Sequence, residues 1–341
     1  MEKPEKFTWN IPWKGIIVTV VVSIFALILV FLKIAKPSHI LKELGAYPLN
    51  YFFGALFFVL AAWMVDGQRI GMLTRALGHP ISWWQLTITL GAANFLTLVT
   101  PFAGGGGALI VYFLYRRGIK TSVATAVVVA GGMAGQMSLA LLGLATSSTL
   151  TNVPPDLAQY FNAVKIGAAV YIAILLGLLF LIVKSERFFL WVFRKKGAES
   201  RSAVWIEDFR STIHVLLNKR RGYYLACVAV AFSYYMVYYL GGFVLLSGFG
   251  VFHPWLRYSV AVLFGVAPVF SPIPGGAGVS EGIAWLVLDG ALSSDALGTF
   301  IVLWRTAVFY IPILLGGTIF VILAMQWASK VILPEEQDHT R

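Results

Sequence analysis

At residues 271–282 the chain reads SPIPGGAGVSEG, a stretch that combines two prolines, four glycines and one carboxylate, that of Glu281. Strongly apolar runs flank this stretch on both sides, so its helix-breaking residues fall where the hydropathy indicates a membrane. Backbone amides freed by proline and glycine are tolerated at membrane depth only where protein buries them or where they line a wet cavity. The stretch therefore predicts a turn inside a membrane protein, next to a polar interior.

The composition indicates an α-helical protein that crosses the membrane several times. Of the 341 residues, 59% are hydrophobic and 12% are charged, and this charged share is about half that of a soluble domain. Runs of roughly 20 apolar residues are long enough to cross a bilayer as helices. Six such runs are expected as full spans, at residues 15–34, 49–65, 122–146, 163–183, 223–246 and 298–327.

The basic residues indicate how the chain is oriented. The net charge is +11. The basic residues lie between apolar runs, which favours a role in topology and contact with anionic lipid head groups over contact with nucleic acid. The segment 184–222 contains ten Lys and Arg residues and four acids, so it is expected in the cytoplasm. Both termini then also lie there, and the protein is expected in the cytoplasmic membrane. Four apolar residues of this loop recur at helical spacing and predict a helix that lies on the inner leaflet or packs on the protein: Trp205, Phe209, Ile213 and Leu216.

Two further apolar regions are interrupted by glycine turns, at residues 82–115 and 255–288. The predicted orientation makes each region begin and end on one side of the membrane, which favours two re-entrant helical hairpins. Both turns read P-x-x-G-G-x-G, and a span–hairpin–span unit occurs at 49–146 and again, with the opposite sense, at 223–327. The predicted fold is an all-α polytopic membrane protein, a single transmembrane domain over 1–341, with about six full spans and two hairpins in an inverted-topology repeat.

Ionisable residues within apolar runs are costly and are the first candidates for a functional site. Glu281 follows the second turn, where a carboxylate suits either a helix N-terminus or a role towards a substrate or proton. Arg305 lies deep in the last run and is suited to pair with Glu281 or to bind a phosphate. Asp66, near the end of the second run, fits an interfacial position, a helix-end cap or an ion pair with Arg69.

The remaining candidates are turn glycines, whose free backbone N–H groups suit an anionic group, and polar residues near them. Asn94 and Gln136 also fit hydrogen bonds between helices, and Arg116 also fits a topology determinant that reaches the head groups. No catalytic residue, metal site or cofactor is expected, and the single Cys227 is expected to be a packing residue. These additional binding candidates are Gly104, Gly105, Gly275, Gly276, Ser280, Asn94, Gln136 and Arg116.

Two motifs resemble those of a known family. The sequence PIPGGAGVSEG at residues 272–282 resembles the P-x-P-G-G-x-G-x-x-E signature of the lysylphosphatidylglycerol synthase transmembrane-region family. The sequence PFAGGGGALIVYFLYRRG at residues 101–118 resembles the companion motif of that family, in which a proline–glycine turn is followed by a basic-Gly pair. The likeness extends over about residues 15–327.

The family includes stand-alone membrane proteins and the flippase domain of the multiple peptide resistance factor, which is thought to move aminoacylated phosphatidylglycerol between leaflets. The resemblance implies that Asp66, Glu281 and Arg305 match the residues on which flipping depends. The aminoacyl-transferring part of the fused relatives is a separate soluble domain after the membrane region. That domain is not expected in this chain, which ends at Arg341, and enzymatic activity is therefore not expected.

The expected function is that of a lipid flippase or transporter, which moves an anionic or aminoacylated phospholipid, or a related lipid, through a central polar cavity. In this hypothesis Arg305 and the turn amides hold the phosphate, and Glu281 balances charge or carries a proton. Two alternatives stay open: a membrane-embedded lipid-modifying enzyme with Glu281 as general base, and a membrane scaffold for a separate synthase. The expected partners are membrane lipids with anionic head groups, together with a second copy of the chain or a separate lipid synthase.

Overall fold

A computed structural model describes Val21 and residues 37–100, 104–149, 155–184, 201–251, 254–266 and 274–329. Helices make up nearly all of this part of the chain, which contains no β-strand. Five of its helices are long and apolar enough to cross a membrane: Leu49–Ala76, Thr121–Thr149, Ala158–Ile182, Arg221–Ser247 and Ser294–Trp327. The prediction of an all-α polytopic membrane protein is therefore confirmed. The predicted span at 15–34 lies outside the described residues, apart from Val21.

The helices are numbered α1 to α12 in chain order. They are α1 (Pro37–Ala46), α2 (Leu49–Ala76), α3 (Trp83–Val99), α4 (Gly104–Arg116), α5 (Thr121–Thr149), α6 (Pro155–Lys184), α7 (Arg201–His214), α8 (Arg221–Ser247), α9 (Pro254–Val266), α10 (Val279–Leu288), α11 (Ser294–Arg305) and α12 (Ile311–Ser329). A π-helical turn, Val215–Lys219, extends α7, and another, Thr306–Tyr310, joins α11 to α12 into one long helix.

Glycine turns lie on both sides of the first predicted hairpin, one before it and one after it. Gly78 follows α2 with a φ of 84°, and Gly118 follows α4 with a φ of 81°, a left-handed conformation that glycine adopts without a Cβ clash. After Gly78 the backbone N–H of His79 bonds back to Thr74 O at 2.9 Å, and Ile119 N makes the equivalent bond in α4. This capping pattern satisfies carbonyls at the helix ends, so both chain reversals are encoded locally.

Each predicted hairpin region contains two short helices, and the described residues between them, Thr100 and residues 274–278, are extended or in turns. In the first, α3 and α4 pack against each other, and the Thr100 hydroxyl joins them by donating to Leu96 O (2.6 Å) and accepting from Gly105 N (3.0 Å). In the second, α9 and α10 are in contact, and the break contains a 3-10 turn, Pro274–Gly276. A pair of short helices is thus observed at both predicted positions, and the re-entrant hairpins stay a prediction. The depth to which each pair enters a membrane stays a prediction.

The first helices of the two repeats, α2 and α8, pack extensively and run antiparallel. A Cβ placed on Gly241, late in α8, would lie 2.9 Å from Ala55 O, early in α2. Towards the other end of the pair, Asp66 of α2 lines the same cavity as Tyr234 of α8. Early residues of one helix therefore face late residues of the other, as an inverted repeat requires.

The last helix of each predicted repeat packs on the other predicted repeat. The last helix of the second repeat, α12, packs on α3 of the first, where a Cβ placed on Gly316 would lie 2.6 Å from Gly91 O. The last helix of the first repeat, α5, packs on α9 of the second, where Leu139 and Val262 share one buried cluster. The 3-10 turn of the second hairpin contacts α3, so the two hairpins meet inside the bundle. Such reciprocal packing is what the predicted inverted repeat would give, and the repeat itself stays a prediction.

The helix in the basic segment packs on the protein. Phe209, Ile213 and Leu216 are 7%, 0% and 0% exposed and join a core cluster that contains residues of α2, α3, α4 and α5. The Nζ atom of Lys120, which precedes α5, lies 3.0 Å from Asp208 Oδ2 of α7. Of the two sequence-based alternatives for this segment, the packed helix is therefore the one observed, since its apolar face is covered by the bundle.

Hydrogen bonds join helix ends at both ends of the bundle. At one end, Arg116 Nη1 donates to Trp327 O at 3.0 Å, which sets the ends of α4 and α12 side by side. At the other end, the buried hydroxyl of Tyr47 donates to Leu245 O at 2.8 Å. Burial raises the pKa of Tyr47 above its ordinary value, so this hydroxyl stays a donor. The side of the membrane that each end faces stays a prediction.

Candidate functional site

A cavity of about 250 Å³ lies between α2, α3, α4, α5 and α8. A smaller lobe of about 110 Å³ adjoins it between α2, α5 and α8. The two lobes share five lining residues, Asp66, Arg69, Gly132, Tyr234 and Tyr235, so they form one two-lobed cavity. Polar groups from helices that are distant in sequence therefore meet inside an apolar bundle.

Asp66 and Arg69 form an ion pair at the junction of the two lobes. They are three residues apart on α2, so both project from one face of the helix, together with Trp63. Arg69 Nε lies 2.5 Å from Asp66 Oδ1, and Arg69 Nη2 lies 3.1 Å from Asp66 Oδ2, so the ion pair is bidentate. The arginine and aspartate side chains are 15% and 16% exposed. The pair is thus largely shielded from bulk water, and its net charge is zero.

Arg69 keeps one donor beyond this pair. Its Nη1 has no hydrogen-bond partner among the described residues. It faces a glycine-lined wall of α5: a Cβ placed on Gly131 would lie 3.3 Å from Nη1, and one placed on Gly135 would lie 3.8 Å from it. The hydroxyl of Tyr235 is also 3.8 Å from that Gly135 position. Two hydrogen-bond donors therefore approach one region of the smaller lobe, an arrangement that suits an acceptor such as a phosphate oxygen.

The first hairpin forms another wall of the larger lobe, with Asn94 and Thr97 on α3 and Gly106 on α4. A Cβ placed on Gly106 would lie 2.7 Å from Ala93 O, so glycine is what allows α4 to approach α3 this closely. The amide of Asn94 makes no hydrogen bond within the described chain. In the smaller lobe, Gln136 Oε1 is buried and likewise has no partner among the described residues. Each lobe therefore contains polar groups that protein contacts leave unsatisfied.

A second polar cluster fastens the tip of the second hairpin to the last helix. Glu281 Oε2 accepts the backbone N–H of Gly278 at 2.8 Å, and Glu281 Oε1 lies 2.9 Å from Arg305 Nε. Arg305 Nη1 donates to Gly275 O at 2.8 Å, and the guanidinium carbon lies 4.3 Å from the centroid of the Phe309 ring. Glu281 and Arg305 are 5% and 2% exposed. The tip and the last helix thus meet in one buried, charge-paired unit.

The position of Arg305 differs from that of Arg69. The Nε–H of Arg305 is not directed at Glu281 Oε1, so this contact is an ion pair without a hydrogen bond, and Nη2 has no hydrogen-bond partner in the described chain. Neither Arg305 nor Glu281 lines the cavity at Asp66. The arginine that borders the cavity is Arg69, whereas Arg305 contacts groups of the hairpin tip.

The candidates from the sequence divide into three groups. One group lines the cavity: Asp66, Asn94 and Gln136. A second group surrounds the hairpin-tip cluster, where Gly276 and Ser280 are buried: Gly275, Gly276, Ser280, Glu281 and Arg305. The third group lies in neither place, since Gly104 begins α4, Gly105 N bonds to Thr100, and Arg116 bonds to the end of α12.

Sequence reasoning missed Arg69, Tyr234 and Tyr235 as lining residues. It placed Asp66 near the end of a span, whereas α2 continues to Ala76. The available signal is the three-residue spacing of opposite charges, which makes a neutral pair on one helix face. The tyrosines belong to the run YYMVYY in α8, and ring hydroxyls buried in an apolar helix need polar neighbours.

The comparison with known proteins agrees with this architecture. The family described as "Lysylphosphatidylglycerol synthase TM region" matches residues 16–316, a range that contains both polar clusters. The chain is also 21% identical, over 277 residues, to a protein of Archaeoglobus fulgidus named "UPF0104 membrane protein", covering 75% of this chain and 81% of that protein. Because the family match spans most of the chain, this protein belongs to the lysylphosphatidylglycerol synthase transmembrane-region family.

Proposed function

We propose that this protein is a lipid flippase or transporter, which passes the head group of an anionic or aminoacylated phospholipid, or of a related lipid, through the cavity at Asp66 and Arg69. The observation that carries the proposal is the Nη1 donor of Arg69, which faces the cavity wall and has no partner among the described residues. A guanidinium group binds phosphate oxygens with good geometry. Membership of a family named for a phospholipid adds the lipid context.

A polar cavity lowers the main barrier to moving a lipid between leaflets. A head group that leaves water loses its hydration, which costs on the order of several kcal/mol for an unpaired polar group and far more for a charge. Arg69, Asn94 and Tyr235 offer replacement hydrogen bonds along the cavity. The acyl chains stay against apolar outer faces of the bundle, such as that of α6, where Ile166 and Val170 are exposed. Only the head group then needs a protein path.

The cluster at Glu281 and Arg305 does not line the cavity, and its role in the proposed transport is to hold two elements together. It joins the second hairpin to the last helix, so these elements can move as one body. In transporters built from inverted repeats, substrate sites lie where the repeats meet, and rocking of the repeats exposes the site to each side in turn. The walls of the cavity are helices of the first predicted repeat and α8 of the second, which supports a site between the repeats.

A steric plug tests the proposal. A Cβ placed on Gly132 would have no atom within 4 Å, and Gly132 lines both lobes. The side chain of Gly132→Leu therefore starts in open space and takes up cavity volume. Gly177→Leu is the matched control, because Gly177 is equally unobstructed but lies exposed on α6. In reconstituted vesicles with fluorescent phospholipids, we expect Gly132→Leu to slow lipid movement at least about tenfold. Gly177→Leu should move lipid at the wild-type rate.

Wild-type movement by a folded Gly132→Leu protein would contradict transport through this cavity. Mass spectrometry of the same vesicles separates transport from chemistry. A lipid that changes leaflet with unchanged mass supports the flippase, whereas a chemically altered lipid would identify a lipid-modifying enzyme.

A further inference from the structure

We infer, on the basis of the proposed transport, that among the lipids proposed above the cavity favours those with a zwitterionic head group, which has one phosphate and one ammonium. Such lipids are a phospholipid esterified with a neutral amino acid or a related zwitterionic lipid, and the cavity favours them over head groups that carry a net charge. The charge of the cavity supports this choice. Asp66 and Arg69 cancel each other, and no other charged residue of the described chain lines either lobe. A head group with net charge would therefore enter an apolar bundle without compensation, which is strongly unfavourable. A zwitterion adds no net charge.

The smaller lobe suits the phosphate. Arg69 Nη1 and the Tyr235 hydroxyl approach the same position beside Gly135, each at 3.8 Å from a Cβ placed there. Both groups donate hydrogen bonds, and a bond from a guanidinium to an anionic oxygen is among the strongest available. The glycine leaves the space that a phosphate oxygen would occupy.

The larger lobe suits the ammonium. Asp66 borders it with two carboxylate oxygens, each of which accepts one bond from Arg69 and has capacity for another. The rings of Trp63 and Tyr234 line the same lobe, and aromatic faces attract cations. Asn94 adds an amide oxygen whose bonding capacity is unused within the described chain. Arg69 also lines this lobe, but its charge is paired with Asp66, so the carboxylate, the two rings and the amide are the groups there that attract a cation.

Binding of a zwitterion would exchange partners within the ion pair. The phosphate takes a place on Arg69 while the ammonium takes a place on Asp66, so neither protein charge is left alone. A plain anion can engage Arg69, but it also meets the carboxylate of Asp66, which Arg69 holds within 3.1 Å. A head group with a second ammonium can engage Asp66, but its extra positive charge also meets the guanidinium of Arg69. Selectivity therefore follows from the neutrality of the pair.

The test compares lipids in one protein preparation. Vesicles containing the full chain receive acyl-chain-labelled phosphatidylethanolamine, which is zwitterionic, or phosphatidylglycerol, which is anionic. We expect the zwitterion to change leaflet at least about tenfold faster. Because both rates come from the same preparation, their ratio is independent of the fraction of folded protein. Lysyl-phosphatidylglycerol, with net positive charge, should also be slower than the zwitterion.

A variant that changes the charge of the cavity should change the ratio of the two lipid rates. Asp66→Asn gives the cavity a net positive charge, so the ratio should shift towards phosphatidylglycerol by about tenfold. The matched control is Asp295→Asn, which removes a carboxylate from the exposed pair with His39 (3.2 Å) and should leave the ratio unchanged. If Asp66→Asn does not fold, Asn94→Asp makes the cavity negative and should shift the ratio further from phosphatidylglycerol.

The outcomes separate this inference from the proposed function. If phosphatidylglycerol moves as fast as the zwitterion in the wild type, or if the charge variants leave the ratio unchanged, the inference is overturned and transport still stands. If no lipid moves above the rate in protein-free vesicles, the proposed function fails as well. A ratio that follows the charge of the cavity supports both.

Discussion

Arg69 and Arg305 lie within apolar helices of the described chain, the first partly and the second fully buried, and their neighbours give them different roles. Arg69 is neutralised by Asp66 on its own helix and keeps one donor towards the cavity wall. Arg305 is held by Glu281 from another helix and donates to Gly275 O of the hairpin tip. A buried arginine is stable only when its charge is compensated, and here the compensation leaves one arginine beside a cavity and the other beneath a turn.

Removal of Arg305 should destabilise the protein. In Arg305→Ala the carboxylate of Glu281 loses its counter-charge and Gly275 O loses its donor, so we expect a loss of about 3–5 kcal/mol in the free energy of unfolding. The double variant Glu281→Gln/Arg305→Met removes both charges and should recover part of this loss. Unfolding of the purified variants in detergent measures both effects. A double variant no more stable than Arg305→Ala would show that the charge pair is not the cause.

Among the elements, the tip of the second hairpin depends most directly on glycine. Gly275 and Gly278 have φ values of 63° and 79°, in the left-handed region. Gly275 lies against Phe309, since a Cβ placed on it would lie far inside contact distance of the ring. The tip therefore packs closely against the last helix, where Arg305 donates to the carbonyl oxygen of Gly275.

Substitution at these two glycines should separate backbone strain from close packing. In Gly278→Ala the new Cβ meets no atom within 4 Å, so only the left-handed backbone opposes it, at about 1–2 kcal/mol. In Gly275→Ala the clash with Phe309 is added, and we expect a total loss of about 2–5 kcal/mol. Equal losses of unfolding free energy for the two variants in detergent would contradict the packing seen at Phe309.

The length of α2 shows how side-chain pairing alters an element. Hydropathy predicts that the span ends at residue 65, just before Asp66, because an unpaired carboxylate is costly in an apolar segment. The helix continues to Ala76, since Arg69 compensates that charge one turn later. The break in hydropathy therefore marks a polar site on a continuous helix, and not the end of the helix.

At the scale of the whole molecule, the contacts between helix ends divide the bundle into two faces. Lys120 pairs with Asp208 at the face where α4 and α12 end. Basic residues are concentrated at this face, in the segments that follow α2 and α4 and precede α8. The positive-inside rule predicts that this face is cytoplasmic. The opposite face contains the turn between α10 and α11, with the exposed Asp289.

Cysteine labelling tests this orientation. The native Cys227 is fully buried and is replaced by alanine to remove the background. In intact cells, a membrane-impermeant thiol reagent should label Asp289→Cys, whereas Lys120→Cys should react only after the membrane is opened. Each variant is the control for the other. Labelling of Lys120→Cys in intact cells would reverse the predicted orientation.

The sequence by itself determined the helical class, the positions of the five described spans, the two interrupted regions and the family. These features depend on local properties: the length of apolar runs, the backbone effects of proline and glycine, and a turn motif that occurs twice. The doubling of the motif also predicted the pairing of the two repeats, which the antiparallel contact of α2 with α8 supports.

Only the tertiary structure decided which polar residues share a cavity. In the sequence, Asp66 fits an interfacial position, a helix-end cap or an ion pair with Arg69. Arg305 is the most deeply placed cation, suited to pair with Glu281 or to bind a phosphate. The glycine wall of α5 and the tyrosines of α8 surround the first pair, while the hairpin tip covers Arg305. Whether a buried donor is satisfied depends on groups brought from distant parts of the chain by helix packing, and no local pattern contains that information.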